Sequence, residues 1–150
     1  MVVGMSKVLD FLRSLGLTQL ESKQPRRYVF EVSADRLREV IAGLIRVNEN
    51  LYVSAISGVD YVSEGFIEVN YCLWVVDEKL MVILKVRVPR ESPKIPTIYD
   101  LIPGALNSEL EVYDLLGVVL EGNDRLRRGF LVPSEVASQG LFPLRKDFKV

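Results

Sequence analysis

The alternation of apolar and polar positions over residues 1–88 predicts two helices and four strands. Val8, Phe11, Leu12 and Leu15 recur at the spacing of one helical face, which predicts a helix over 7–15. Ser6 stands at its N-cap and Gly16 at its end. Residues 18–25 are polar and close on Pro25, the pattern of a loop. Residues 26–32 alternate, with Tyr28, Phe30 and Val32 opposite Arg27 and Glu31, as a half-buried strand does. A second helix is expected over 34–47, capped by Ser33, with Asp35 in its first turn and Leu37, Val40, Ile41 and Leu44 inward. Arg36, Arg38, Glu39 and Arg46 fall on its solvated side.

Three more strands follow, over 51–57, 66–76 and 80–88. Ile67, Val69, Tyr71, Leu73 and Val75 share one face of the middle one. Glu68, Asn70, Cys72 and Trp74 share the other, a mixed set that implies partial cover. Leu80, Val82, Leu84, Val86 and Val88 line one face of the next, opposite Lys85 and Arg87. The short Asp77-Glu78-Lys79 link makes these two strands an antiparallel hairpin. The expected fold is two-layer α+β, with helices on one face of a mainly antiparallel sheet of about four strands.

The pattern changes at Pro89. Six of the seven prolines lie at or beyond it, yet Ile95, Ile98, Tyr99, Leu101 and Ile102 keep the stretch apolar. Prolines at this spacing exclude a long helix or a central strand, and a solvated linker would be poorer in large apolar residues. The expectation is therefore a core over 1–88 and a long extended C-terminal arm over 89–150, part of the same domain and built to lie against another protein. Charge is divided along it: 89–124 holds seven acids and two bases, 125–150 six bases and two acids. The halves could pair with each other or with a partner. One helix is expected within the arm, from a capping box Ser108-Glu109-Leu110-Glu111 to a stop at Gly117. Glu111 then acts as a cap, and Glu109 and Asp114 fall on different sides of the apolar face, as surface or interface charge.

Composition narrows the chemistry. At 150 residues the protein is long enough to bury a core. A net charge of −1 supplies no field for nucleic acid or anionic lipid. With no histidine and Cys72 as the one cysteine, the usual base, the common nucleophile systems and the usual zinc and cluster ligands are missing. No apolar run has the length to span a bilayer, so direct membrane insertion is not expected. Residues 1–5 are too short and lack the basic start of a signal peptide.

The run from Glu109 to Arg128 resembles the signature of the 30-kDa subunit family of respiratory complex I, NADH-quinone oxidoreductase. Glu109, Glu111, Asp114, Leu115, Leu116, Gly117, Gly122, Arg127 and Arg128 stand at the spacing of that pattern. Pro143, Leu144, Arg145, Lys146, Asp147 and Phe148 resemble its P-L-R-K-D-aromatic ending. Leu110 stands where the family has arginine and Asn123 where it has histidine, while Asp124 and Arg125 replace the usual Pro-Asp. The resemblance implies a structural subunit with no cofactor of its own. It would pack beside the 49-kDa-type large subunit and an iron–sulfur subunit, on the cytoplasmic face of the membrane. NAD, flavin, iron–sulfur clusters and quinone, or nickel-iron in related membrane-bound hydrogenases and formate hydrogenlyases, would sit on those partners. The signature residues would form the partner interface, with Phe142, Leu144 and Phe148 as apolar anchors. Two other readings compete: a carboxylate enzyme using Glu109 and Asp114, and a nucleic-acid module using Arg125 to Arg128 with Phe130. The first lacks a convergent site and the second a basic field.

Overall fold

A computed structural model describes residues 6–149, so the signal-peptide question at 1–5 and residue 150 of the expected arm lie outside the described residues. Strands β1 (Thr18–Leu20), β2 (Arg27–Glu31), β3 (Leu51–Tyr61), β4 (Phe66–Val75) and β5 (Leu80–Pro89) form one sheet in the order β1-β2-β5-β4-β3. Pairing is antiparallel except between β2 and β5, which run parallel. The mainly antiparallel α+β sheet is present with one strand more than expected. The extra strand is β1, in the stretch read as loop; a three-residue edge strand has too few apolar positions to show a period.

Helices α1 (Lys7–Ser14) and α2 (Leu37–Val47) cover one face. Ser6 caps α1 through its Oγ, which accepts from the Leu9 amide at 3.0 Å. Ser33 does not cap α2: a turn of 3-10 helix, Ala34–Arg36, precedes it, and Ser33 makes no side-chain cap bond. The inward set is as the period requires, with Leu37, Val40, Ile41 and Leu44 buried against Phe30, Tyr71 and Leu84 in one core. The apolar face of β4 and that of β5 are both buried throughout.

The opposite sheet face holds a buried charge. Glu68 is 2% exposed and is held by Lys85 and Arg87, each at 3.2 Å across the β4–β5 pair. Burial pushes its carboxyl up, but the two cations hold it below the ordinary glutamate range. Cys72 and Trp74 on this face are half-buried, the partial cover that the mixed pattern implied.

Beyond Pro89 the chain returns to the core instead of extending from it. Strand β6 (Lys94–Pro96) pairs in parallel with β7 (Val119–Glu121), and helix α3 (Leu106–Leu116) lies between them in sequence. Ile95, Ile98, Val112, Leu116, Val118 and Leu120 join the same core as β4 and β5. The prolines stand at strand edges and turns, where their missing N–H costs nothing. Of the apolar residues that marked the stretch as no linker, Ile95 and Ile98 are core residues, and Leu101 and Ile102 pack half-buried against them. Residues 124–149 contain one short helix, α4 (Ser134–Ser138), and run over the surface as a strap.

Close packing sets α3 against the sheet. A Cβ on Gly58 would stand 2.3 Å from Leu116 Cδ1, so glycine lets α3 approach β3. At the same end, next to Leu116, Gly117 ends α3 with φ +79°, its amide donating to the Tyr113 carbonyl at 2.9 Å. A Cβ there would also meet the Phe142 ring at 2.9 Å. Gly117→Ala is expected to cost about 1–2 kcal/mol from backbone conformation alone, with more from displacing Phe142; urea denaturation measures it.

Candidate functional site

Two carboxylates on α3 organise much of the chain beyond Pro89. The helix begins at Leu106, after a 3-10 turn over Pro103–Ala105, and not at Ser108. Proline at the head of this turn starts the helix three residues earlier than the capping-box pattern indicates. Ser108 is therefore interior, and the expected cap by Glu111 is absent: Glu111 is exposed and faces solvent. Glu109 and Asp114, expected as surface or interface charge, are both fully buried.

Glu109 is 0% exposed and reaches the segments that follow β6 and β7. Its Oε1 accepts from Asn123 Nδ2 at 2.8 Å and from the Thr97 hydroxyl, and its Oε2 accepts from the Ile98 amide at 2.9 Å. Asn123 completes the arrangement by accepting the Arg125 amide at 2.8 Å. The position that departs from the family's histidine still supplies a donor to Glu109. Arg38 reinforces the same region from α2, donating to the Thr97 carbonyl at 2.6 Å and holding Asp100 through both terminal nitrogens. It is a cross-link to the 97–100 turn, not only helix surface. Tyr71 lies fully buried on β4; burial, with Glu109 nearby, pushes its phenol well above the ordinary tyrosine range.

Asp114 does for the strap what Glu109 does for the β6–β7 region. Its Oδ1 accepts from Arg128 Nε at 3.0 Å and the Gly129 amide at 2.9 Å. Its Oδ2 accepts from the amides of Leu131 at 2.7 Å and Val132 at 2.9 Å. Burial pushes its carboxyl up, but the Leu131, Val132 and Gly129 amides and Arg128 outweigh it and hold the group below the ordinary aspartate range. Arg128 also donates to the Leu141 carbonyl and lies 4.2 Å over the Phe142 ring, so one guanidinium joins α3 to both limbs of the strap.

A further buried carboxylate, which the sequence pattern did not single out, fixes the end of the strap. Asp60 on β3 is held by Arg90 through a bidentate pair at 2.7 and 3.0 Å. It also accepts the Lys146 amide at 2.8 Å. Arg90 pulls its carboxyl below the ordinary range against burial, helped by that amide. Asp147 shares Nη2 of Arg90 with Asp60, at 2.8 Å. Arg145 donates to the Leu116 carbonyl at 2.8 Å, and the Leu144 amide to the Leu115 carbonyl at 2.9 Å. Asp60 and Arg90 lie in separate strand and turn contexts, and no short-range spacing links them; only the fold brings them to one place.

The predicted residues therefore divide. Glu109, Asp114, Arg128, Arg145 and Asp147 all make contacts within the protein. Gly117 and Gly122 adopt positive φ, +79° and +91°, and shape the turns after α3 and β7. Glu111, Arg127, Leu144 and Lys146 are exposed, Arg127 stacking over Phe130 at 5.7 Å. Pro143 and Phe148 are half-buried. Glu109 and Asp114 do not meet: their oxygens face different donor sets, all of them fixed. Among the described residues no group of three or more Asp, Glu, Cys or His side chains gathers as a metal site would, and no helix is long and apolar enough to cross a membrane.

Comparison with known proteins gives a consistent set of likenesses. Residues 30–150 match the family described as respiratory-chain NADH dehydrogenase, 30 Kd subunit. An NADH-quinone oxidoreductase subunit of Moorella thermoacetica is 32% identical over 119 residues, 79% of this chain and 78% of that protein. An F(420)H(2) dehydrogenase subunit of Methanosarcina mazei is 29% identical over 83% of this chain and 75% of that protein. The NADH-quinone oxidoreductase subunit of Novosphingobium aromaticivorans is 39% identical, but the match spans only 37% of its length. Among solved structures, one from the membrane-bound sulfane sulfur reductase, an archaeal respiratory membrane complex, superposes with a TM-score of 0.80 at 27% identity, covering 97% of this chain and 87% of that one. A trypsin-resistant fragment named Nqo5 superposes with a TM-score of 0.70 at 28% identity, covering 80% of this chain and 97% of that one.

Proposed function

Given that this chain belongs to the family of respiratory-chain NADH dehydrogenase 30-kDa subunits, we propose that it is a structural subunit of the peripheral arm of a membrane-associated redox complex. It holds no cofactor and packs beside a 49-kDa-type large subunit and an iron–sulfur subunit, whose clusters, flavin or quinone site perform the electron transfer. The observation that carries this reading is the use of the buried carboxylates. Asp114 and Asp60 hold a surface strap in one conformation and Glu109 fixes the β6–β7 region, each carboxylate bound by fixed donors. A preorganised strap lowers the ordering cost of association. Its outward residues, Arg127, Leu131, Leu144 and Lys146, remain for a neighbour.

A second reading concerns the electron donor. The relatives are named for NADH and for F(420)H(2), and the 0.80 superposition is with part of a sulfane sulfur reductase. This supports a scaffold shared by complexes with different donors, nickel-iron hydrogenases among them, the donor being set by other subunits.

Affinity isolation of the native assembly in mild detergent tests both readings. The expected companions are a large subunit and an iron–sulfur subunit in one-to-one ratio with this one. Recovery as a monomer without redox subunits would overturn the proposal. The metals and flavin in the recovered assembly distinguish a hydrogenase from a dehydrogenase.

A further inference from the structure

Between β3, α3 and the end of the strap lies an apolar pocket of about 190 Å³. Ile56 and Gly58 form its floor on the strand side, Val112, Leu115 and Leu116 its helix wall, and Leu144 its lip. Leu144 is 52% exposed although the two segments beside it are pinned by Asp114 and Asp60. The one charged residue lining the pocket is Glu111. Alone among the three signature carboxylates Glu109, Glu111 and Asp114, it is exposed, and among the described residues it forms no ion pair. β3 is also the last strand on its side of the sheet, so the pocket opens beside an edge with no further strand.

These features are those of a receptor for one side chain. A cavity of about 150 Å³ accepts a benzene ring, so this pocket has the size for a single leucine, methionine or phenylalanine. An exposed carboxylate at the rim of an apolar hole selects a cation beside the inserted group, because rim charges steer association and fix register. We infer that the pocket receives one apolar anchor from the neighbouring large subunit, on a segment that carries a Lys or Arg within reach of Glu111. This rests on the subunit role proposed above and adds to it where the contact is made and what chemistry the partner's segment has. It also gives Glu111 a role that its signature companions do not share: Asp114 holds the strap and Glu109 the β6–β7 region, while Glu111 faces the partner.

The experiment uses the native complex. A photo-activated cross-linking amino acid at Leu144, exposed at the pocket lip, is expected to capture a peptide of the large subunit with an aliphatic or aromatic residue next to a Lys or Arg. Glu111→Lys is expected to lower recovery of that subunit about tenfold at low salt, with the loss shrinking as salt rises. Reversing the captured cation to Glu should restore recovery. Glu111 is exposed, so the variant keeps its fold, which circular dichroism verifies. Capture of a second copy of this protein, capture of a segment with no cation, or unchanged recovery with Glu111→Lys would each overturn the inference while leaving the subunit role intact. If the unmodified protein brings down no large subunit, both fall.

Discussion

Asp114→Asn is expected to cost the folded protein about 3–5 kcal/mol at neutral pH, the range seen when one partner of a buried pair is removed. The carboxylate takes four donors, from Arg128, Gly129, Leu131 and Val132. An amide of the same shape offers one oxygen, and its NH2 group turns toward N–H groups that already point inward. Arg128 is then left half-buried without its counter-charge. Urea denaturation measures the loss, and hydrogen exchange should show the 129–132 amides released first. A cost under about 1 kcal/mol would mean that the strap does not depend on this contact. The pH dependence follows in sign. The folded aspartate titrates below its unfolded value, so its contribution is complete above the ordinary carboxylate range and is lost as pH falls through the folded value. Asp60 shifts the same way. The gap between wild type and Asp114→Asn should therefore narrow below about pH 4, as melting temperatures at pH 7 and pH 3 will show.

Glu109→Ala is expected to cost about 3 kcal/mol or more, because it strands the Asn123 amide, the Thr97 hydroxyl and the Ile98 N–H in a buried site. Asn123→His is expected to stay within about 1 kcal/mol of the wild type. A neutral imidazole offers one donor for Glu109 and one acceptor for the Arg125 amide, the two roles that Asn123 fills. The paired result separates two accounts of this position. If Asn123→His is as costly as the loss of Glu109, then the site is shaped for an amide and the departure from the family's histidine is structural. Denaturation of the two variants under one buffer decides it.

The elements that sequence made visible are those whose apolar residues have a long, clean period. β4, β5 and α2 have such runs, and their inward faces are the observed ones. β1 was hidden because three edge residues show no period. The parallel pairing of β2 with β5 was hidden because strand periodicity records which face is inward and not which neighbour is alongside. The start of α3 was misplaced because Ser108 and Glu111 satisfy a capping pattern that a preceding 3-10 turn makes unnecessary. The deeper failure concerns Glu109 and Asp114. Charged residues are rarely buried unless paired, and their partners are mostly backbone amides, which any residue provides and no sequence displays. Spacing could flag these carboxylates as part of a pattern, but not say that they face inward. Asp60 had no flag at all, since its partners stand 30 and 86 positions away.

That last separation bears on how the protein is made. Ribosomes add about 5–20 residues per second, so Asp60 exists for several seconds before Lys146 is polymerised. Through that interval Arg90 can neutralise it, but the end of the strap is not yet pinned beside β3. Closure thus waits on the synthesis of residues 144–147. A nascent or prematurely terminated product already has its sheet and its first helices, yet lacks the contact that pins this segment beside β3 and shapes the lip of the pocket at Leu144. Such products would present the sheet but not the finished docking face. A neighbouring subunit that reads this face would admit only molecules translated through residue 147.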